Sequence, residues 1–200
     1  MKKLFDMDNP FWRALSVAAD LLILNLLALI CSLPVITAGA AFTAMTDVIV
    51  HMVRKEEGYV AKPFFRAFAA NFKKATLLWL LVLLAGGLLY FDYLAAAAYI
   101  PALRLPILAL SLLVLAAAMY AFALLSRYEN TLFGTLKNAV ILAVGYFPRT
   151  LLMLVFAVGL WLLSLRFYSV GAPILLLFGL SLPCYIDILL LNSVFDKLEN

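Results

Sequence analysis

Uninterrupted apolar runs constrain this chain more than anything else in it. LLILNLLALI fills residues 21–30, TLLWLLVLLAGGLLY fills 76–90, and PILALSLLVLAAAMYAFALLS fills 106–126. About 20 residues of helix cross a hydrocarbon core, and a run of roughly 18 apolar residues is a transmembrane candidate. Of the 200 residues, 67% are hydrophobic and only 13% are charged. Mean hydropathy is +1.09. Soluble domains average about half apolar and a quarter charged, so these values exclude a soluble globule. The expectation is a single all-α integral membrane domain over residues 1–200, a polytopic helical bundle embedded in a lipid bilayer.

The net charge of +4 and a pI near 9.1 do not point to nucleic acid. The basic residues flank the apolar runs, where the positive-inside rule places them. Cys31 and Cys184 lie inside apolar runs without a CxxC pair, so neither a disulfide scaffold nor a zinc site is expected. Lys2, Lys3 and the run Leu21–Ile30 loosely imitate a signal peptide. Asp6, Asp8 and Asp20 interrupt that pattern, and Ile30 is too large for a lipoprotein cleavage site before Cys31, so the run is expected to stay as a helix.

Residues 1–13 read as an interfacial lead-in, with Phe5, Phe11 and Trp12 at headgroup level. Spans are expected at about Ala14–Ile36, Ala75–Ala97, Pro106–Ser126, Pro148–Phe167 and Val170–Leu191. Tyr90, Phe91 and Tyr93 close one of them as an aromatic belt. A sixth crossing by residues 37–55 is about 28 Å of helix, barely sufficient. If it crosses, all 15 Lys and Arg residues except Arg104 and Arg166 share the cytoplasmic side with both termini. If it does not, Lys2, Lys3 and Arg13 move outside. The first split obeys the positive-inside rule better, so six spans are expected, with five as the alternative. Ala38, Gly39, Ala40, Ala41 and Ala44 suit a helix packed inside the bundle.

Residues 54–74 then form a cytoplasmic elbow. Phe64, Phe65, Phe68 and Phe72 recur at helical spacing among Arg66, Lys73 and Lys74. This pattern predicts a short amphipathic helix along the headgroups before the chain turns into the next span. Glu56, Glu57, Gly58, Phe64, Phe68, Asn71, Phe72, Lys73 and Lys74 are its candidate partner-docking residues. Residues 127–147 form a second, semi-polar cytoplasmic segment. LFGTLKNAVIL at 132–142 weakly echoes FAANFKKATLL at 68–78.

Thr43, Asp47, His51 and Arg54 share one helix face. A polar stripe within a membrane is a functional candidate by default, as a proton relay, substrate contact or ion site. The favoured alternative is that Asp47, His51 and Arg54 neutralise one another near the cytoplasmic interface and fix helix packing. In the six-span arrangement Asp20, Asp187 and His51 all lie in the cytoplasmic half, where they could converge on a shared cavity, though the sequence alone shows no contact. Enzyme signatures are absent: no HExxH, GxSxG, GxxxxGK[ST] or GxGD occurs, and there is one histidine. No catalytic residue, metal or cofactor is expected.

The segments DLLILNLLALICSLPVITAGAAFTAM, VRKEEGYVAKPFFRAFAANFKKATLLW and RYENTLFGTLKNAVILAVGYFPRTLLML together resemble the YesL-like family of small bacterial integral membrane proteins. The most specific parts are Glu56–Gly58, Phe68–Thr76, Glu129, Asn130 and Thr131, and Leu136–Ala139 with Lys137 and Asn138. The family has no assigned activity. Its members accompany carbohydrate importers, glycoside hydrolases and sensor systems. The resemblance therefore implies a non-enzymatic accessory or regulatory role in carbohydrate uptake, at the cytoplasmic membrane, with a sugar importer or sensor protein as partner. The alternative is a small transporter or channel lined by the Asp/His residues, which would call for a polar cavity and often a homo-oligomer.

Overall fold

The computed structural model describes the backbone of residues 10–54, 58–128, 131–166 and 168–199. Among these, every regular element is a helix: α1 (Pro10–Cys31), α2 (Ala38–Val53), α3 (Ala61–Tyr99), α4 (Arg104–Arg127), α5 (Leu132–Gly145), α6 (Phe147–Arg166), α7 (Tyr168–Phe178) and α8 (Ser181–Glu199). α1 stops at Cys31 because Pro34 lacks a backbone donor and biases Leu33 away from helical geometry. A 3-10 turn at Val35–Thr37 then leads into α2.

α2 is the central helix, packed against α1, α3, α4 and α8. Its small residues make this possible: Ala40, Ala41 and Ala44 are completely buried. Gly39 meets α3 so closely that an added methyl would strike Trp79 Cβ and the Ala75 carbonyl oxygen. Glycine here permits the backbone approach that membrane helix pairs favour.

α3 departs from the sequence expectation. Its 39 residues form one helix of about 58 Å, so the elbow does not hold a separate amphipathic helix that turns into the next span. The basic Phe-rich segment is the first part of α3 itself. The physical reason is local: between Pro63, in the first turn, and Gly86 no residue breaks a helix, and Ala67, Ala69, Ala70 and Ala75 favour one strongly. α3 ends at Ile100 before Pro101, where Arg104 Nη2 donates to the exposed Ala97 carbonyl at 2.9 Å.

The C-terminal half is broken twice. α5 begins at Thr131, whose Oγ1 accepts from Gly134 N at 3.2 Å as an N-cap. It then meets α6 at a 97° bend. Pro148 sits in the first turn of α6, as expected, but the preceding segment is itself helical and apolar. The span expected over Val170–Leu191 is two helices, α7 and α8, interrupted at Gly179–Leu180. Pro183 explains the break: in a continuous helix its ring would clash with the carbonyl of residue 179 and leave that oxygen without a donor. Placed in the first turn of α8, its missing N–H costs that helix no bond.

By length and composition, four helical segments among the described residues can cross a membrane: Ala14–Cys31, Val35–Val53, Ala61–Tyr99 and Pro101–Arg127. The bent pair α5–α6 makes five if it counts as one broken span. The chain therefore reads as membrane-embedded.

Candidate functional site

The polar stripe of α2 divides along its length. Thr43 is completely buried, and its hydroxyl donates to the Gly39 carbonyl at 2.9 Å, a back-bond that satisfies it within the helix. Asp47 is half-buried within electrostatic reach of His51 and of Arg66 at the start of α3. Arg54 is exposed beyond the last turn, where its backbone N–H donates to Val50 O at 3.1 Å. Asp47 is thus aligned with the basic end of α3 as well as with its own helix.

Asp20 and Asp187 do not join this group. Asp20 lines a peripheral cavity of about 440 Å³ with Ser16, Ile23 and Gly58–Ala61. Asp187 is buried on α8, and its Oδ1 has no hydrogen-bond partner. Its electrostatic neighbours include Cys184, one turn away, and Tyr120 of α4. Asp20, Asp47 and Asp187 thus have different immediate surroundings. Among the described residues, no group of three His, Cys, Asp or Glu side chains is placed to hold a metal ion.

Other polar residues tie the bundle together. Asn25 of α1 is completely buried and bridges the α7–α8 break. Its Nδ2 donates to Leu176 O at 2.8 Å, and its Oδ1 accepts from Leu180 N at 2.8 Å and Ser181 N at 3.1 Å. One amide side chain satisfies groups on both sides of the interruption. The hydroxyls of Tyr120 and Thr150 lie 3.0 Å apart, and Thr150 Oγ1 also donates to Ala143 O at 2.8 Å across the α5–α6 bend. Thr46 Oγ1 lies 3.5 Å from Cys184 Sγ, linking α2 to α8. Both cysteines are free thiols. Asn25 is recognisable in the sequence as a polar residue within a span; the pairing of Tyr120 with Thr150 carries no sequence signal.

The start of α3 presents two faces. Phe64 is completely buried and stacks on Phe68, with centroids 6.4 Å apart; Phe68 meets Phe72 edge-on at 5.5 Å. Phe64 is a core residue and is not available for docking. Phe68 and Asn71 are half-buried, the latter donating to Ala67 O at 3.3 Å. Lys62, Phe65, Arg66, Ala69, Phe72 and Lys73 lie on the opposite, exposed face, with Lys74 beside them and Tyr59 just before the helix. Gly58 is also exposed. Glu56, Glu57, Glu129 and Asn130 lie outside the described residues. Thr131 is the α5 cap, and Lys137 and Asn138 are exposed on α5.

Chemically, the interior combines these clasps with buried polar atoms that have no hydrogen-bond partner, among them Asp187 Oδ1, Ser181 Oγ, Thr76 Oγ1 and Arg149 Nη1, while the outer face of early α3 gathers exposed charge and aromatic surface. Neither the comparison with curated proteins nor that with solved structures yields a match. Residues 21–93 are similar to a family of proteins of unknown function, DUF624, a stretch that runs from within α1 through α2 to the Tyr90–Tyr93 belt of α3.

Proposed function

We propose that this chain is a non-enzymatic, multi-pass protein of a bacterial cytoplasmic membrane, accessory to carbohydrate uptake, that engages a sugar importer or its sensor through the outer face of early α3. The carrying observation is that face. It combines Lys62, Arg66, Lys73 and Lys74 with the exposed rings of Tyr59, Phe65 and Phe72, which are 92%, 52% and 38% exposed. Exposed aromatic rings and Arg66 are residue types enriched at protein interfaces, and the net basic charge fits an acidic partner surface. The carbohydrate context comes from the likeness of EEG, FAANFKKAT and LKNA to the YesL-like family.

The differing surroundings of Asp20, Asp47 and Asp187 support this reading over a transport pathway. A relay needs its groups within hydrogen-bond or single-water reach, and these three occupy distinct surroundings. The test is photo-crosslinking in cells from position 65, against Val144 on α5 as an equally exposed apolar control. An adduct with an importer or sensor subunit from Phe65 alone supports the proposal. Equal yields from both positions, or none, overturn it.

A further inference from the structure

The turn between α1 and α2 is the most unusual part of the molecule for a chain embedded in lipid. Its side chains are apolar and bare: Leu33 is 80% exposed, Val35 63% and Ile36 59%. A loop emerging into water normally carries polar turn residues instead. Three of its carbonyls, meanwhile, are bonded from within. Thr37 Oγ1 donates to Cys31 O at 2.6 Å and to Pro34 O at 2.8 Å, and Trp79 Nε1 donates to Val35 O at 2.8 Å. Internal bonds of this kind reduce the cost of holding backbone outside a helix away from water.

The register against α3 fixes how far the turn reaches. Gly39 lies on Ala75 and Trp79, and Asp47 lies near Arg66, so α2 runs antiparallel to the first half of α3. The turn is level with Trp79. Beyond it α3 continues for about 20 residues, or about 30 Å. The Tyr90–Tyr93 belt is about 16 Å further along the helix, half the roughly 30 Å of a hydrocarbon core.

Placing the far membrane face at the turn instead would leave the outer halves of α3 and α4 in water. Leu83, Leu84, Leu88, Leu105 and Leu108 are all exposed there. It would also sink Lys73 and Lys74 into hydrocarbon close to the face that the positive-inside rule denies them. With the belt as the far face, both lysines reach the near headgroups, since helical side chains lean toward the N-terminus.

We infer that α1 and α2 form a re-entrant hairpin whose tip, Leu33–Ile36, is seated among lipid acyl chains near the middle of the bilayer and does not emerge on the far side. This rests on the membrane reading above. The start of α1 and the end of α2 then share one side without either helix crossing, and the Asp47–His51 stripe lies toward the headgroups.

Single cysteines at Leu33, Ile36, Leu88 and Tyr59, in a Cys31→Ser, Cys184→Ala background and reconstituted in phosphatidylcholine–phosphatidylglycerol vesicles, would carry a nitroxide label. Its collisions with oxygen and with a water-soluble nickel chelate report depth. The expected result is a severalfold preference for oxygen at Leu33, Ile36 and Leu88, and a preference for the chelate at Tyr59. Chelate access at both Leu33 and Ile36 with Leu88 protected overturns the re-entrant hairpin while leaving the membrane reading intact. Chelate access at Leu88 overturns the membrane reading and the hairpin with it.

Discussion

The Trp79 indole N–H donates to the Val35 carbonyl at 2.8 Å, joining the middle of α3 to the turn between α1 and α2. The same ring lies 6.3 Å from Phe122 of α4, which meets Phe42 of α2 edge-on at 5.3 Å. One side chain therefore registers three helices and completes a non-helical segment.

Trp79→Phe keeps the apolar contacts and removes only the donor. The Ala38 N–H still donates to the Val35 carbonyl, so losing the indole bond is expected to cost about 0.5–1.5 kcal/mol, read as a lowered midpoint of thermal unfolding in detergent. Trp79→Leu should cost more, because the ring contact with Phe122 goes too. An unchanged midpoint in Trp79→Phe would mean that water reaches this carbonyl.

Gly39→Ala is expected to destabilise by about 1–3 kcal/mol, the range for overpacking, because backbone on α3 blocks the methyl. Gly86→Ala is the control. Nothing lies within 4 Å of the added carbon there, so the change should be neutral or slightly stabilising in a helix. Equal effects at the two glycines would contradict the close α2–α3 approach.

Asn25→Ala removes three hydrogen bonds at once and leaves Leu180 N, Ser181 N and Leu176 O unpaired in the interior. The expected signature is local: faster hydrogen exchange at Leu180 and Ser181, with the α2–α3 pair unaffected. Asn25→Asp retains the acceptor oxygens but loses the donor to Leu176, so it should protect these two amides better than alanine does.

Much of the helix content was legible because apolar run length and prolines act locally. Pro148 opens α6 and Pro34 ends α1 for reasons visible within four residues of each. Local reasoning failed where two signals competed. Between Phe64 and Thr76 the basic, aromatic composition suggested a separate surface helix, but composition does not bend a backbone that lacks a breaker, and α3 runs through. Pro183 had a local signal too, a proline inside an apolar run, but its consequence depended on Asn25, some 155 residues away, to receive the freed amides. The candidate site suffered more. Helical spacing correctly placed Thr43, Asp47 and His51 on one face, but their surroundings are set by α3, and the differing surroundings of Asp20 and Asp187 are tertiary.

The Tyr120–Thr150 pair should show coupling. Thr150→Val loses the bonds to Tyr120 and to Ala143 O, so it should destabilise more than Tyr120→Phe. The double mutant should fall short of the sum by about 0.5–3 kcal/mol. Strict additivity would indicate that the two hydroxyls do not interact.

The most direct test of the accessory role is uptake of a panel of labelled sugars in cells lacking the protein and complemented with variants at matched membrane levels. The role predicts that the charge-reversed face, Lys62→Glu with Arg66→Glu and Lys73→Glu, fails to restore uptake, whereas Asp187→Asn and Asp20→Asn restore it in full. Full uptake with the reversed face, together with loss of uptake in the aspartate variants, would contradict docking and put a transport pathway through the bundle in its place.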